Sequence, residues 1–379
     1  MAFDSMTLSA IVAELRPRLL GAKINKIHQP DPHTVLLKCH SQAGALRLLL
    51  SAHPENGRIV CTESNRENPP KAPLFLMVLR KWLEGARITD FSCTDGERVA
   101  TLDAECRDEL GDLQPLHLVT EIMGKHSNII LYNREGVIID GIRRYGSHLS
   151  RYREVLPGKP YLPPPPMDRL PLPPDSEEAL AELLYSHGEQ EISEILRRGI
   201  KGLSPLLAEH ILTEAGLDGE LSPDQMGEYE IHRIYSSLND LGKMCREARF
   251  QPQLRQVNGR FLDFAALSPA FWPEDERLET ASMNQAVDAF YQQREEEQLF
   301  RRSANALNRS LRQNLARLDK KISLEEADLY QSEAADAYKD CGDLLSTYLW
   351  HLQKGMEQVE LPSFYDPEEK ILVKLDPAL

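Results

Sequence analysis

The feature that most restricts the fold is a stretch of 68 residues, from Glu274 to Cys341, that contains neither glycine nor proline. Such a stretch permits one long helix, which would measure about 100 Å if it were unbroken. Its apolar residues recur at the spacing of a coiled-coil seam, namely Leu311, Leu315, Leu318, Ile322 and Leu329. A seam needs a second helix, and the sequence offers none of comparable length. We therefore predict self-association through this coiled coil.

The first part of the chain has a different pattern. The predicted elements are, in order, a helix over 5–20, strands over 23–63, a helix over 72–85, a strand pair around Asp95-Gly96 and a strand meander over 116–142. Helices mixed with antiparallel strands indicate an α+β fold. The proline-rich run over 163–174 then predicts an extended linker.

The pattern becomes helical after the linker. Ser204-Pro205 combines an N-cap serine with a proline at the first helical position. The turn Gly199-Ile-Lys-Gly202 resembles a helix-hairpin-helix, whose backbone N–H groups can bind a phosphate. The alternative is an ordinary turn between two packed helices, and the acidic surroundings favour that alternative.

Composition excludes several classes of protein. No apolar run approaches the roughly 18 residues that indicate a membrane helix. The first predicted helix is amphipathic and carries Glu14, with Asp4 just before it, which is unlike a signal peptide. The six cysteines are scattered, as is typical of a reducing compartment. These features predict a cytoplasmic protein with no membrane partner.

Charge is divided unevenly along the chain. The net charge is −15, but residues 1–160 sum to +2 and residues 161–379 sum to −17. Basic residues with interleaved aromatic residues are concentrated over 141–160: Arg143, Arg144, Tyr145, His148, Arg151, Tyr152, Arg153 and Lys159. Such a cluster can hold phosphates and stack bases. The alternative is a solvated strand edge whose arginine stems cover apolar surface.

A tight polar turn, Gly124-Lys125-His126-Ser127, lies between two apolar, β-branched runs. Side chains at such a reversal are placed to meet ligands. Lys125, His126 and Asn128 suit phosphate and base contacts. The alternative is that the polar residues of the turn only cap their own backbone, and for Asn128 the two possibilities are evenly balanced.

The segment Glu121–Leu131 around this turn resembles the E-x-M-G-K-x-S-N-I-x-L signature of the NFACT family, to which the RqcH (or FbpA) and NEMF proteins belong. Other segments match the family in the same order along the chain: Met1–Asp4, Gly21–Pro30, Pro73–Lys81, Val155–Gly158, Gly202–Pro205, Gly342–Leu345 and Leu375–Pro377. Agreement over the whole chain is more specific than one motif.

The resemblance implies three domains. These are an N-terminal NFACT-N domain over 1–170, similar in fold to the N-terminal domain of formamidopyrimidine-DNA glycosylases, a helix-hairpin-helix-like domain over 175–272, and the first half of a coiled-coil middle domain over 274–379. The second half and the C-terminal NFACT-R domain of the family do not follow, so we expect this chain to be a fragment of a longer protein.

The resemblance also implies binding without catalysis. The glycosylases use an N-terminal proline amine with a neighbouring acid, whereas Ala2 and Phe3 follow the initiator here. No cofactor motif of Walker or Rossmann type is present. His28 and His33 flank Asp31 without a further ligand nearby, so we expect no metal. The chain is predicted not to be an enzyme.

The tRNA-contacting Asp-Arg pair of the family falls on Glu97-Arg98, where glutamate replaces aspartate. Arg98 can direct two donors toward a phosphate or a base edge. The alternative for this pair is a surface ion pair worth at most about 1 kcal/mol. The tRNA-binding residues predicted in total are Glu97, Arg98, Lys125, His126, Asn128, Arg143 and Arg144.

The implied function is ribosome-associated quality control. The expected partners are tRNA (alanyl-tRNA in bacteria) and a stalled large ribosomal subunit that still holds peptidyl-tRNA. The expected outcome is template-free tailing of the nascent chain with alanine, with the peptide-bond chemistry left to the ribosome. The alternatives are a fibronectin-binding adhesin, as an older family name suggests, and a nucleic-acid repair enzyme.

Overall fold

The computed structural model describes residues 3–376 except 43, 65, 67, 108–110, 148, 149, 151, 188, 189 and 367, and only the backbone of 333 and 334. Five residues discussed above, Met1, Ala2, His148, Arg151 and Pro377, lie outside the described part. Contacts group the chain into two compact units, residues 1–296 and 297–379. The predicted domain limits at 170, 175 and 274 stay predictions. In the described residues, no helix is both long and apolar enough to cross a membrane.

A nine-stranded antiparallel sheet forms the body of the first unit, in the order β4-β3-β2-β1-β5-β6-β7-β8-β9. The strands are β1 (Lys23–Asp31), β2 (Thr34–Ser41), β3 (Gly44–Ser51), β4 (Arg58–Cys61), β5 (Arg87–Cys93), β6 (Val99–Arg107), β7 (Leu113–Glu121), β8 (Asn128–Asn133) and β9 (Ile138–Gly141). The predicted α+β class is thus confirmed. The expected likeness to a glycosylase domain stays a prediction.

Two helices pack on this sheet, α1 (Ser5–Leu19) and α2 (Leu74–Leu83). Asp4 begins α1 by accepting the N–H of Thr7 at 2.8 Å, as an N-cap does. The apolar stripe of α1 is buried as its spacing predicts. The turn after α2 contains Gly85 at φ +90°, a conformation that glycine adopts without strain.

The region after the linker is helical but not wholly so. Its helices are α3 (Glu177–Tyr185), α4 (Ile192–Gly199), α5 (Pro205–Glu214) and α6 (Glu228–Arg246), and Ser204 caps α5 as predicted. A small antiparallel sheet follows, made of β10 (Gln253–Val257), β11 (Arg260–Ala265) and β12 (Arg277–Glu279). Its first two strands lie within 175–272, where only helix was expected. The turn at Asn258-Gly259 joins them, with both residues at positive φ.

The long helix is α7 (Met283–Thr347), 65 residues. Its first turns are fastened to the first unit. Glu14 accepts the N–H groups of Met283 and Asn284 at 2.6 and 2.9 Å, and the Asn284 amide bonds both the N–H and the C=O of Cys61. Arg58, almost fully buried, donates to Glu295 at 2.6 Å.

The second unit contains the rest of α7 and a hairpin of β13 (Gln358–Pro362) and β14 (Lys370–Lys374). The predicted seam residues Leu311, Leu315, Leu318, Ile322 and Leu329 are all more than half exposed. The long helix is therefore confirmed, whereas the coiled coil and the self-association stay predictions.

Candidate nucleic-acid interface at one end of the sheet

The strand order brings the predicted site residues to one end of the sheet. Val99 at the start of β6 pairs with Glu121 at the end of β7, which pairs with Asn128 at the start of β8. The Ile122 N–H donates to the Arg98 carbonyl at 2.8 Å, which places the two loops side by side. We call the residues Glu97, Arg98, Lys125, His126 and Arg143 the turn end.

The Gly124–His126 segment forms a short 3₁₀ helix. Gly124 has φ +60°, and the Ser127 hydroxyl accepts the Met123 N–H at 2.9 Å, so the backbone closes on itself. Lys125 and His126 remain exposed at the tip. The sequence thus builds a rigid turn that presents two cationic or hydrogen-bonding side chains to solvent.

Asn128 lies beneath this turn and is fully buried. Its amide oxygen accepts the N–H of Ile129 at 2.9 Å and of Arg143 at 3.1 Å, and its amide nitrogen donates to the Arg143 carbonyl at 2.9 Å. The Arg143 guanidinium in turn donates to the carbonyls of Lys125 and Ser127. Direct RNA contact by Asn128 stays a prediction, but it would require breaking these bonds. In the structure both residues hold the turn in shape.

Arg98 is half-buried and points toward the start of the chain. Its guanidinium donates to the Phe3 carbonyl at 3.5 Å. Burial lowers the pKa of Arg98, while Asp4 and Tyr291 act in the opposite direction. Asp4 also accepts the Ser204 hydroxyl at 2.8 Å, so α1, α5 and the Arg98 loop meet here.

Glu97 is paired with Lys201, at 3.5 Å from carboxylate to ammonium. Behind this pair two glycine turns pack backbone to backbone. A Cβ on Gly202, which has φ +80°, would lie 2.9 Å from the Gly96 Cα and 2.9 Å from the Ser5 hydroxyl. The Ser5 hydroxyl donates to the Gly202 carbonyl at 3.0 Å. The hairpin turn between α4 and α5 therefore buttresses the Glu97-Arg98 loop.

Two of the backbone N–H groups that could bind a phosphate in that hairpin turn already have partners within the protein. The Lys201 N–H donates to the Leu170 carbonyl at 2.8 Å, and the Ile200 N–H to the Leu196 carbonyl at 3.0 Å. These N–H groups are engaged within the protein. The packing alternative considered from the sequence describes the turn better.

The basic cluster over 141–160 is largely neutralised within the fold. The basic cluster predicted from the sequence includes Arg153 among the side chains that could hold phosphates. The structure corrects this, because Arg153 is buried and donates two hydrogen bonds to Glu121, of 2.6 and 2.5 Å. Arg144 binds both oxygens of the buried Asp140, at 2.7 and 2.8 Å. Lys159 pairs with Glu154 at 2.9 Å. The alternative of a solvated strand edge is also incomplete, because the buried carboxylates of Glu121 and Asp140 bind Arg153 and Arg144.

The network around Glu121 extends into a stack of rings. The Tyr161 hydroxyl donates to Glu121 at 3.1 Å, and burial followed by the Glu121 charge raises the pKa of Tyr161. Tyr161 stacks on Tyr132, and Tyr132 on His117, with ring centroids 4.6 and 4.7 Å apart. Neither the Glu121–Arg153 pair nor the Lys201–Glu97 pair was recognised from the sequence. The sequence held one signal for the Glu121–Arg153 pair, namely that Glu121 of the signature stands next to apolar β-branched residues.

The side chains that could serve metal or thiol chemistry include His28 on β1, Cys39 on β2 and Cys61 on β4, none of which belongs to the turn end. Within the described residues, no group of three or more His, Cys, Asp or Glu is arranged to hold a metal ion. His28 is bonded by Asn68 instead. Burial raises the pKa of Cys39 and of Cys61 to about 12, which makes these thiols poor nucleophiles at neutral pH.

Comparison with known proteins agrees with this architecture. Residues 4–379 match the family model of the NFACT N-terminal and middle domains. The chain is 32% identical to the Rqc2 homolog RqcH of Bacillus subtilis and 33% identical to that of Streptococcus suis, each over 100% of this chain and 64% of the relative. It thus spans slightly under two thirds of their length.

A solved structure is also similar. The N-terminal part of the fibronectin/fibrinogen-binding protein from Streptococcus suis shares 32% identity and a TM-score of 0.63, over 77% of this chain and 99% of that one. Because the family model covers almost the entire sequence and relatives above 30% identity align along all of it, the chain belongs to the NFACT family.

Proposed function

We propose that the turn end is a tRNA-binding surface and that the chain is part of a ribosome quality control factor. The observation that carries the proposal is that the loop of half-buried Arg98 is hydrogen-bonded to Ile122, just before the turn that exposes Lys125 and His126. The relatives named as Rqc2 homologues support the second part of the proposal, whereas tRNA as the ligand is what the family resemblance implies.

Each side chain has a distinct part in this proposal. Arg98, whose guanidinium points toward the Phe3 carbonyl in the structure, would turn donors to a phosphate or base edge, and its partial burial would strengthen that contact. Lys125 and His126 approach the RNA backbone from the tip of the turn. Asn128 and Arg143 act through the shape of the turn, and Lys201 fixes Glu97 next to Arg98.

The wider process follows from the expected partners. The protein would bind a large ribosomal subunit that retains peptidyl-tRNA and place alanyl-tRNA for template-free elongation. The ribosome would form the peptide bonds, so the chain itself would act without catalysis, in the cytoplasm. Arg144, bound to Asp140, would contribute to RNA binding only by releasing that carboxylate.

Substitution of Arg98 tests the proposal. Arg98→Ala should weaken tRNA binding by about 1–3 kcal/mol, the scale of one bidentate contact. The measurement is filter binding at low salt with a folded variant. Arg134→Ala is the matched control, because Arg134 is exposed in the β8–β9 turn at the opposite end of the sheet.

Two outcomes would reject the proposal. The first is equal tRNA affinity for the Arg98 variant and its control. The second concerns the fibronectin alternative suggested by the name of the Streptococcus suis protein. If the chain bound immobilised fibronectin through Lys125 and His126 but did not bind tRNA, the adhesin alternative would replace this one.

A further inference from the structure

A row of basic side chains crosses the first three strands of the sheet, away from the turn end. Lys26 on β1 lies directly opposite Lys38 on β2, and Lys38 lies opposite Arg47 on β3. Neighbouring strands are about 4.8 Å apart, so three positive charges follow one line about 10 Å long. We call Lys26, Lys38 and Arg47 the basic row.

Further cations surround the row. Lys23 lies opposite His40, one pair beyond Ile24 and Cys39. Arg80 on α2 donates to the Ile27 carbonyl at 3.1 and 3.2 Å, which brings it against β1. Burial, and then the charges of Lys38, Arg80 and Lys26, lower the pKa of His28. The electrostatic environment of His28 is therefore positive from several sides.

Compensating carboxylates are few. Arg47 has Glu63 at 4.0 Å, whose side chain is 96% exposed, and Arg80 has Glu84 at 3.6 Å. Lys23, Lys26 and Lys38 form no ion pair with any residue that the structure describes. Like charges directly opposite each other destabilise a sheet. An arrangement that costs stability and leaves its charges unpaired fits a surface that meets an anionic ligand.

The chemistry of the surface favours RNA over a lipid headgroup. Stable anchoring to a membrane needs a second signal besides a basic surface, such as exposed apolar side chains that enter the bilayer. The large apolar side chains exposed in the described chain include none from β1, β2 or β3. Lysines act as point charges on a polyanion without demanding one bidentate geometry. A nucleic-acid backbone is the ligand that needs such charges in a line.

The row is separate from the turn end but near it. Lys38 is four residues along β2 from Thr34, about 13 Å. Thr34 pairs with Ser51, and the turn after Ser51 lies beside Ile122, because a Cβ on Gly57 would be 3.0 Å from the Ile122 side chain. One folded RNA is long enough to span both surfaces.

We propose that the basic row, with Lys23, binds the phosphate backbone of RNA as a second contact besides the turn end. The inference rests on the proposed function only in taking RNA as the partner, since no residue is shared. The RNA backbone could belong to tRNA or to the large ribosomal subunit, and both present the same phosphates.

Charge removal tests the row. The double variant Lys26→Gln/Lys38→Gln should flatten the log–log salt dependence of tRNA binding by about 1.4–1.8 and lower affinity at least about tenfold at 0.1 M salt, for two lost phosphate contacts. Lys320→Gln/Lys321→Gln is the control, because it removes the same charge from an exposed part of α7. Circular dichroism and thermal melting establish that both variants are folded.

A second arm identifies the source of the RNA. If tRNA binding is unchanged but co-sedimentation with large ribosomal subunits falls at least about tenfold relative to the control, the row binds ribosomal RNA, which supports the proposal. If the row variant behaves like the control in both assays, the proposal is wrong. Row-dependent binding to phosphatidylserine vesicles without an effect on either RNA assay would also overturn it.

The two proposals fail separately. If Arg98→Ala loses tRNA binding while the row variant binds tRNA and subunits normally, the second contact is wrong and the proposed function stands. If the row variant binds RNA more weakly while Arg98→Ala binds tRNA normally, the row is supported and the turn end is not the tRNA site.

Discussion

Two basic regions of the first unit differ in what the fold does with their charge. The 141–160 region is dense in arginine and lysine, yet Glu121, Asp140 and Glu154 neutralise Arg153, Arg144 and Lys159. The basic row on β1, β2 and β3 is spread over 22 positions of sequence, yet two of its three members have no ion pair among the described residues. Density of charge along the chain and charge available to a ligand are therefore different quantities.

The difference has a physical origin. Carboxylates buried beside the 141–160 region would be costly without cationic partners, so the arginines there serve the interior. The row occupies a partly exposed stretch of the sheet, where register decides which residues become neighbours. The following variants test whether the charges of the 141–160 region stabilise the fold while those of the basic row are available to a ligand.

The largest effect is expected from the buried pair. Glu121→Gln should destabilise the protein by about 3–5 kcal/mol, because it leaves the Arg153 charge buried and uncompensated. Urea unfolding measures the change. Glu97→Gln is the control, since its half-exposed pair with Lys201 should cost no more than about 1 kcal/mol. Equal, small losses for the two variants would show that the 141–160 region is not structural.

A neutralised arginine should become available when its partner is removed. Asp140→Asn keeps an acceptor for the Gly141 N–H but gives up the charge that holds Arg144. The log–log salt dependence of tRNA binding should steepen by about 0.7–0.9, the value of one further phosphate. The effect should vanish in Asp140→Asn/Arg144→Gln. A slope that does not change in the single variant would place Arg144 outside reach of the RNA.

Relief of like-charge repulsion should stabilise the row. Lys38→Thr puts a β-branched residue between Lys26 and Arg47 and should raise the free energy of unfolding by roughly 0.2–1 kcal/mol. High salt should reduce this gain, because it screens the repulsion that the variant removes. A loss of stability at low salt would mean that the lysines are not in conflict, and the comparison of the two regions would fail.

The smallest effect is a pH dependence at His28. Its pKa lies below the ordinary 6.5 because of burial and then Lys38, so the unfolded chain binds the proton more tightly. Stability is therefore lost as the pH falls below about 6.5. Lys38→Thr removes part of the cause, and its stabilising effect should be larger at pH 5.5 than at pH 8. The difference should disappear in a His28→Asn background.

Local signals in the sequence were sufficient for much of the fold. Ser204-Pro205 before α5 and the glycine turn at Gly124 act on their immediate neighbours, and each is where the pattern predicts it. The strands β10 and β11 were missed because their hydrophobic runs are short and the surrounding helices dominated the pattern.

The strand arrangement around the candidate site could be predicted, whereas the partners of its side chains could not. The loops that carry Arg98 and Lys125 lie at the same end of the sheet because β6, β7 and β8 are consecutive, which the meander implied. The pairing of Arg153 with Glu121 and of Lys26 with Lys38 depends on packing and register, which a single sequence does not specify.

The contact between Ser5 and Gly202 has a consequence for the order of events during translation. The two residues are 197 positions apart, and Lys201 and Ser204 complete the surroundings of Glu97, Asp4 and Arg98. The turn end can therefore take its final form only after the residues up to Ser204 have left the ribosome. A polypeptide still in synthesis would lack the finished turn end, so an incomplete copy would not present the proposed tRNA-binding surface to the ribosome that is making it.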